Sequence, residues 1–336
     1  MKWILVSLVL LFCAVFFFVQ RNSQQLSVVS PLGIGKLDNK PLATYTIESL
    51  SQMSIQASAI TLGDITKTTE SFIVRPFYFK SDGKNVSGIA HVPVRSIDSG
   101  NQQIKVDQKY PVIVQFRGYV DPTLYTPGMG TERSAEVFAK NGFISLAPDF
   151  LGYGQSDPLS GDIFKDRFET YTTALSLIAS IPYFPEADAT RIGIWGHSNG
   201  GQIALTVLEI LQKPIPTSLW APVTKPFPYS ILYYTDDAED HGKYLRKELA
   251  LFESQYDVEK YSLTNYIERL TGPIQLHQGG NDTAVPTSWS DSFTQKLKAY
   301  DKNVYYYTYP NADHNMVPNW GVVVQRDVEF FNKNLH

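Results

Sequence analysis

Gly196-x-Ser198-x-Gly200 stands in the string RIGIWGHSNGGQIAL. A serine hydroxyl is a poor nucleophile at neutral pH, so it needs exposure and a base within hydrogen-bond reach. The residues before this serine read as a strand and those after it as a helix, and a sharp strand-to-helix turn lifts a serine above the sheet. Such a turn crowds backbone against backbone, which is why glycine is expected on both sides. The helix that follows points its N-terminus at any developing oxyanion. The N–H of Asn199, just after Ser198, is the first candidate donor to it.

That setting orders the partners along the chain as serine, acid, histidine. Of the histidines after Ser198, His336 is the terminus, His277 lies inside the strand GPIQLHQGG, and His241 belongs to a charged insertion. His314, in YPNADHNM, follows the last strand and precedes the last helix, so it is the expected base. Asp282, in QGGNDTAVP, occupies the loop after the preceding strand and would hold the His314 tautomer and stabilise its imidazolium. Asp313 is the rival, disfavoured because adjacent side chains orient each other badly; Asp240 is a more distant one. The second oxyanion donor is expected from QFRGYVDP, where Gly118 lets the backbone turn and Tyr119 offers its N–H or its hydroxyl. His197 reads as a packing residue pointing away from Ser198.

These residues need a scaffold that brings distant loops to one edge. SFIVRPFYFK, the turn SDG and NVSGIAHVPV read as a hairpin. From YPVIVQF onward, strands alternate with helices: TERSAEVFAKNG, FISLAPDF, RFETYTTALSLIASI, RIGIWGH, NGGQIALTVLEILQK, TSLWAPV, GPIQLHQGG, NVYYYTYP and a helix from about Trp320. This rhythm predicts right-handed βαβ units, a mainly parallel central sheet flanked by helices, and a β-rich N-terminal extension. Residues about 222–270 interrupt it with helix-like, charged patterning and read as a short helical cap over the carboxyl ends of the strands, where open α/β sheets bind ligands. The acidic cluster from Asp236 to His241 reads as the solvated start of a cap helix.

The chain of 336 residues can bury a large core without staples, and its lone Cys13 permits neither an internal disulfide nor a cysteine metal site. A net charge of −4 without a basic block gives no footprint for nucleic acid. No zincin motif, phosphate-cradling loop or dinucleotide fingerprint occurs, so no metal or cofactor is expected. Trp3–Val19 is apolar apart from Ser7 and is flanked by Lys2 and Arg21. We read residues 1–20 as an uncleaved signal-anchor rather than a removed signal peptide, with the following domain outside the cytoplasm; cleavage would leave it secreted. Residues 21–45 read as a linker and 46–336 as the hydrolase domain.

GHSNGG, DFLGYGQSD, QGGNDTAVP and PNADHNM resemble blocks of the prolyl-oligopeptidase catalytic domain and its stand-alone esterase-like relatives, over roughly residues 70–335. The resemblance implies the α/β-hydrolase fold, a triad landing on Ser198, Asp282 and His314, and an oxyanion donor landing on Tyr119. Two departures stand out: Arg117-Gly118 where His-Gly is common, and Asn199 where the peptidases often carry tyrosine. Only about 50 residues separate the apolar run from the region of resemblance, too few for the propeller with which such peptidases select short peptides. The expected protein is therefore a serine hydrolase cleaving ester or peptide bonds through an acyl-enzyme, with a small ester or short peptide as substrate and weight toward the ester. A carboxylesterase or acyltransferase on a non-peptide substrate is the alternative. A non-catalytic binding protein on the same fold is disfavoured by the intact triad.

Overall fold

Side chains alternate across a pleated strand, and YPVIVQF shows where this sends them. In β5 (Tyr110–Phe116), Val112, Val114 and Phe116 enter one core, while Ile113 enters a second on the opposite face. Both faces are covered, which is why the strand is apolar without alternation. This computed structural model describes residues 40–94, 109–235 and 238–335. The apolar run, residues 21–39 of the linker and the polar stretch around 95–108 lie outside them, as do Asp236 and Asp237 of the acidic cluster.

The sheet begins with four antiparallel strands: β1 (Thr61–Leu62), β2 (Lys67–Thr68), β3 (Phe72–Ser81) and β4 (Lys84–Pro93). Asp82 and Gly83 turn the β3–β4 hairpin with φ of 48° and 80°, as a two-residue turn matched to strand twist requires. β4 pairs antiparallel with β6 (Ile144–Pro148), and the rest runs parallel: β6, β5, β7 (Ala187–His197), β8 (Thr217–Trp220), β9 (Ile274–Gly279) and β10 (Val304–Tyr309). Parallel order puts the carboxyl ends of β5, β7, β9 and β10 on one rim. The predicted antiparallel extension and parallel centre are both present, and the fold is that of the α/β-hydrolases.

The helices are α1 (Ile47–Gln52), α2 (Glu132–Lys140), α3 (Ile163–Ser180), α4 (Asn199–Leu211), α5 (Tyr229–Leu232), α6 (Lys243–Glu253), α7 (Thr287–Ala299) and α8 (Trp320–Leu335). α3 starts one turn earlier than the stretch RFETY suggests, because Asp162 accepts from the N–H groups of Phe164 and Lys165, both at 3.0 Å. On the opposite face α8 is tied to the sheet by buried Asp327. It accepts from Ser218 Oγ at 2.5 Å and Trp220 Nε1 at 2.8 Å and lies 3.1 Å from His277 Nε2. His277 is thus part of the scaffold, as its place within a strand suggested.

Two boundaries differ from the sequence reading. Pro41–Tyr45, assigned to the linker, form a 3-10 turn in the compact unit, because Leu42 is buried and its carbonyl accepts from Tyr261 Oη at 3.0 Å. In the segment read as a cap, Phe252 of α6 packs on Phe164 of α3 with ring centroids 4.7 Å apart, and Arg269 pairs with Glu48 of α1. Most of that segment therefore packs against the helices at the side. Its start, around Tyr234, touches the rim, where Tyr234 Oη donates to Ala284 O at 3.2 Å.

His91 in β4 is 3% exposed and its Nδ1 has no partner. Burial disfavours the cation and pushes its pKa down to about 4. Below a pH of about 6.5 the unfolded chain takes up a proton that the folded chain refuses. This contribution to stability is therefore whole above about 6.5 and lost as pH falls toward about 4. Urea unfolding at about pH 7 and about pH 4.5 should show His91→Phe losing roughly 2 kcal/mol less than the wild type. Equal losses would mean that His91 titrates normally in the fold.

Candidate active site

The turn from β7 into α4 places Ser198 at the rim. Its φ of 56° and ψ of −120° lie outside the regions that non-glycine residues occupy freely, a strain of order 1–3 kcal/mol. Neighbours over-determine it: Ser198 N donates to Trp220 O at 2.9 Å, and Ser198 O accepts from Gly201 N at 3.0 Å and Val223 N at 3.1 Å. The flanking glycines are required by contact. A Cβ on Gly200 would lie 1.9 Å from Phe116 O, and one on Gly196 would lie 2.7 Å from Gly200 O. The helix thus enters directly beneath the end of β5.

The chain leaving β5 is the expected oxyanion loop, and it meets the serine. A Cβ placed on Gly118 would lie 3.1 Å from Ser198 Cβ. The N–H groups of Asn199 and Tyr119 have no acceptor among the described residues, whereas the Tyr119 ring is 74% exposed.

Asp282 and His314 are brought together as expected. His314 Nδ1 lies 2.8 Å from Asp282 Oδ2, and the carboxylate is fully buried while the imidazole keeps 21% exposure. An ionised carboxylate only accepts, so Nδ1 carries the proton and Nε2 holds a free lone pair. Asp282 Oδ1 accepts from the N–H groups of Ala284 and Val285 at 2.9 and 2.8 Å, and Gln278 Nε2 donates to Oδ2 at 3.1 Å. Burial alone would raise the Asp282 pKa; the hydrogen bonds from His314, Val285 and Ala284 outweigh it and hold the group below the usual carboxylate range. The rivals have other work. Asp313 closes its own turn, accepting from Asn315 N and Val317 N at 2.9 Å each, and Asp240 caps the start of α6.

His197 corrects the sequence reading. Its ring lies against that of His314, with centroids 4.7 Å apart, and its Nε2 is 3.0 Å from His314 O, so Nε2–H donates there. Burial first, and the neighbouring imidazole second, lower its pKa to about 4. The sequence reading turned His197 away from Ser198 across the elbow, as a packing residue, but could not say what it would meet. Among the described residues neither the Ser198 hydroxyl nor His314 Nε2 makes a hydrogen bond; reacting groups often close that distance only once substrate binds.

Sequence reasoning also missed what supports the oxyanion loop. Arg117 is 6% exposed, lies 4.6 Å from the Tyr125 ring centre and 4.1 Å from that of Tyr153, and donates to Gly118 O at 2.9 Å and Asp149 O at 3.2 Å. The Asp149 carboxylate accepts from Ser87 Oγ and Tyr125 Oη, both at 2.5 Å. Burial raises its pKa despite those donors. The signal available was the departure from His-Gly at 117–118, beside the aromatic-rich DFLGYG block. Among the described residues no group of three or more His, Cys, Asp or Glu could hold a metal ion.

Residues 131–336 match the prolyl oligopeptidase family. A Schizosaccharomyces pombe protein named as a dipeptidyl aminopeptidase is 24% identical over 318 residues, covering 87% of this chain. The chain spans only 35% of that relative's length. Among solved structures, acetyl xylan esterase 1 of a Thermoanaerobacterium species superposes with a TM-score of 0.63 at 17% identity, over 87% of this chain and 94% of its own. A Pyrococcus horikoshii acylaminoacyl peptidase gives 0.57 at 21% identity, over 79% of this chain and 42% of its own. At such identities these two likenesses establish the fold. The fold is that of the α/β-hydrolases, with the strained elbow of Ser198 and the Asp282–His314 pair at one rim of the sheet. The chain belongs to the prolyl oligopeptidase family.

Replacing Asp282 by Asn puts an amide donor where His314 Nδ1 needs an acceptor, which favours the wrong tautomer. Turnover of an activated ester should fall by roughly 10³–10⁴-fold in Asp282→Asn. It should stay within about threefold in Asp313→Asn, which keeps the acceptor for its own turn. The opposite pattern would reassign the acid to Asp313.

Proposed function

We propose that Ser198 is the nucleophile of a carboxylic ester hydrolase working through an acyl-enzyme. His314 Nε2 takes the Ser198 proton as Oγ attacks the substrate carbonyl carbon, and the imidazolium so formed is stabilised by Asp282. The N–H groups of Asn199 and Tyr119 hold the oxyanion. For Tyr119 we choose the N–H over the hydroxyl, because the ring is exposed while Gly118 lies against Ser198. His314 then protonates the leaving oxygen, which departs and leaves the acyl group on Ser198. A water, deprotonated by His314, attacks the acyl carbon in turn, and His314 returns that proton to Ser198 Oγ as the Oγ–acyl bond breaks and the acid leaves. The observation that carries this reading is the 2.8 Å Asp282–His314 contact beside a strained elbow serine.

Ester over peptide draws support from the closer fold likeness to the acetyl xylan esterase, at a TM-score of 0.63 against 0.57 for the acylaminoacyl peptidase. A fluorophosphonate probe should label the wild type and leave Ser198→Ala unlabelled, and p-nitrophenyl esters should be cleaved faster than peptide anilides. Labelling that survives in Ser198→Ala rejects the nucleophile; faster anilide cleavage rejects the ester preference.

We also propose that residues 1–20 anchor the enzyme in a membrane with its catalytic domain on the extracytoplasmic side. The reading rests on the apolar run between Lys2 and Arg21. Among the described residues no helix is long and apolar enough to cross a membrane. Fractionation should find the full-length chain in the membrane pellet, released by detergent and not by high salt. Recovery of a shortened soluble chain would mean that the run is removed.

A further inference from the structure

A cavity of about 240 Å³ opens beside the elbow. It is lined by Tyr119 and Asn199, the two proposed oxyanion donors, and by Arg117, Asp166, Arg167 and Glu169 among others. Neither Asp282 nor His314 lines it. The volume falls below the roughly 300–1,000 Å³ of pockets that hold a whole drug-sized ligand, so it fits one arm of a substrate. Which arm follows from the chemistry of attack. The leaving group must lie by His314, which protonates it, and the oxyanion must face Asn199 and Tyr119. A cavity on the oxyanion side, away from His314, is left for the acyl chain.

The charges around it are unevenly matched. Glu169 is buried and accepts from Lys84 Nζ with both oxygens at 2.9 Å. The Asp166 carboxylate accepts from Ser160 N at 2.7 Å, Ser160 Oγ at 2.6 Å and Gly161 N at 3.1 Å. Both acids thus have their partners. Among the described residues neither arginine makes an ion-pair contact, although the Asp149 carboxylate acts on Arg117 from nearby. Arg167 donates to the neutral Gln202 Oε1 at 2.8 Å, and Arg117 donates to two backbone carbonyls. The Nε of each is buried with no acceptor, and Arg117 is itself more than nine-tenths buried. A guanidinium stays charged and offers a planar fork of donors that fits a carboxylate.

The geometry points to an acyl-chain site for a carboxylate, held by Arg167 with Arg117 adding to the field. This assignment rests on Ser198 being the nucleophile. The preferred substrates would be esters of short dicarboxylic acids carrying one free carboxylate.

The test compares three p-nitrophenyl esters of matched length with the full-length enzyme, after subtraction of spontaneous hydrolysis: the glutarate monoester, the pentanoate and the 5-aminopentanoate. The acidic ester should exceed the neutral one in kcat/KM by roughly tenfold or more, the low end of a charge-assisted hydrogen bond. Arg167→Gln should bring the ratio of the two close to one, whatever its effect on absolute rates, and Arg167→Lys should retain part of the preference. If Arg167→Gln does not fold, the wild-type ratio and the Lys variant still decide. Equal wild-type rates, a preference undiminished in Arg167→Gln, or faster cleavage of the amino ester would overturn the inference. An enzyme labelled by the fluorophosphonate probe but indifferent to charge loses this site alone. No labelling together with no turnover of any ester brings down the nucleophile assignment and this site with it.

Discussion

One hydrogen bond, from His314 Nδ1 to Asp282 Oδ2, fixes which imidazole nitrogen can act as a base, and much of the rim exists to keep it in place. The two residues lie in the loops that follow adjacent parallel strands, β9 and β10, and those loops must lie backbone to backbone. Gly279 and Gly280 permit this: a Cβ on Gly279 would lie 2.4 Å from Asp313 O, and one on Gly280 would lie 2.5 Å from Pro310 O. Asn281 N then donates to Ala312 O at 2.9 Å, tying the two loops directly. The QGG before Asp282 is thus a condition for the carboxylate to reach the ring. The same carboxylate accepts from N–H groups of its own loop, so it cannot rotate away without leaving buried donors unpaired, a loss of about 1–3 kcal/mol each.

The oxyanion loop obeys a similar constraint by a different device. Its glycine must press against Ser198, and a loop leaving a strand end has little of its own to hold it there. Arg117 supplies the hold, with its guanidinium stacked on two tyrosines and donating to the carbonyl of Gly118, the next residue in the chain. Such a buried cation would be costly alone. Its cost is offset by ring faces, two carbonyls and the nearby Asp149, whose carboxylate is fastened by Ser87 and Tyr125. A lysine could not replace it, because a point charge has no plane to stack and no fork to span two carbonyls.

How far the sequence disclosed this differs from residue to residue. Ser198, Asp282 and His314 were legible because parallel order, read from the strand–helix rhythm, forces the ends of β7, β9 and β10 onto one rim. The elbow glycines were legible because backbone collision is a local property of the turn. Arg117 was visible only as a departure from a pattern, since its partners Tyr125, Tyr153 and Asp149 come from two other segments. The extent of the side-packed segment after β8 was hidden for a related reason. Charged helical patterning reports an exposed face but not which surface the other face covers, and here Phe252 finds Phe164 rather than the rim. The start of the compact unit at Pro41 depended on Leu42, a single apolar residue in a polar stretch, whose burial no local rule announces.

The contact between His197 and His314 brings the elbow and the base into one electrostatic unit. In the proposed mechanism His314 becomes a cation on taking the Ser198 proton, and a second imidazole lies 4.7 Å from it, centre to centre. Were His197 also charged, the two cations would repel and Asp282 would have to stabilise both. Burial prevents this by holding His197 neutral down to a pH of about 4. The neutral ring still donates from Nε2 to the carbonyl of His314, so it fixes the backbone of the base without competing for its proton. His197 therefore orients His314 from the backbone side while Asp282 orients it from the ring side. Two groups from different parts of the chain thus set one imidazole, which is what a proton transfer of fixed direction demands.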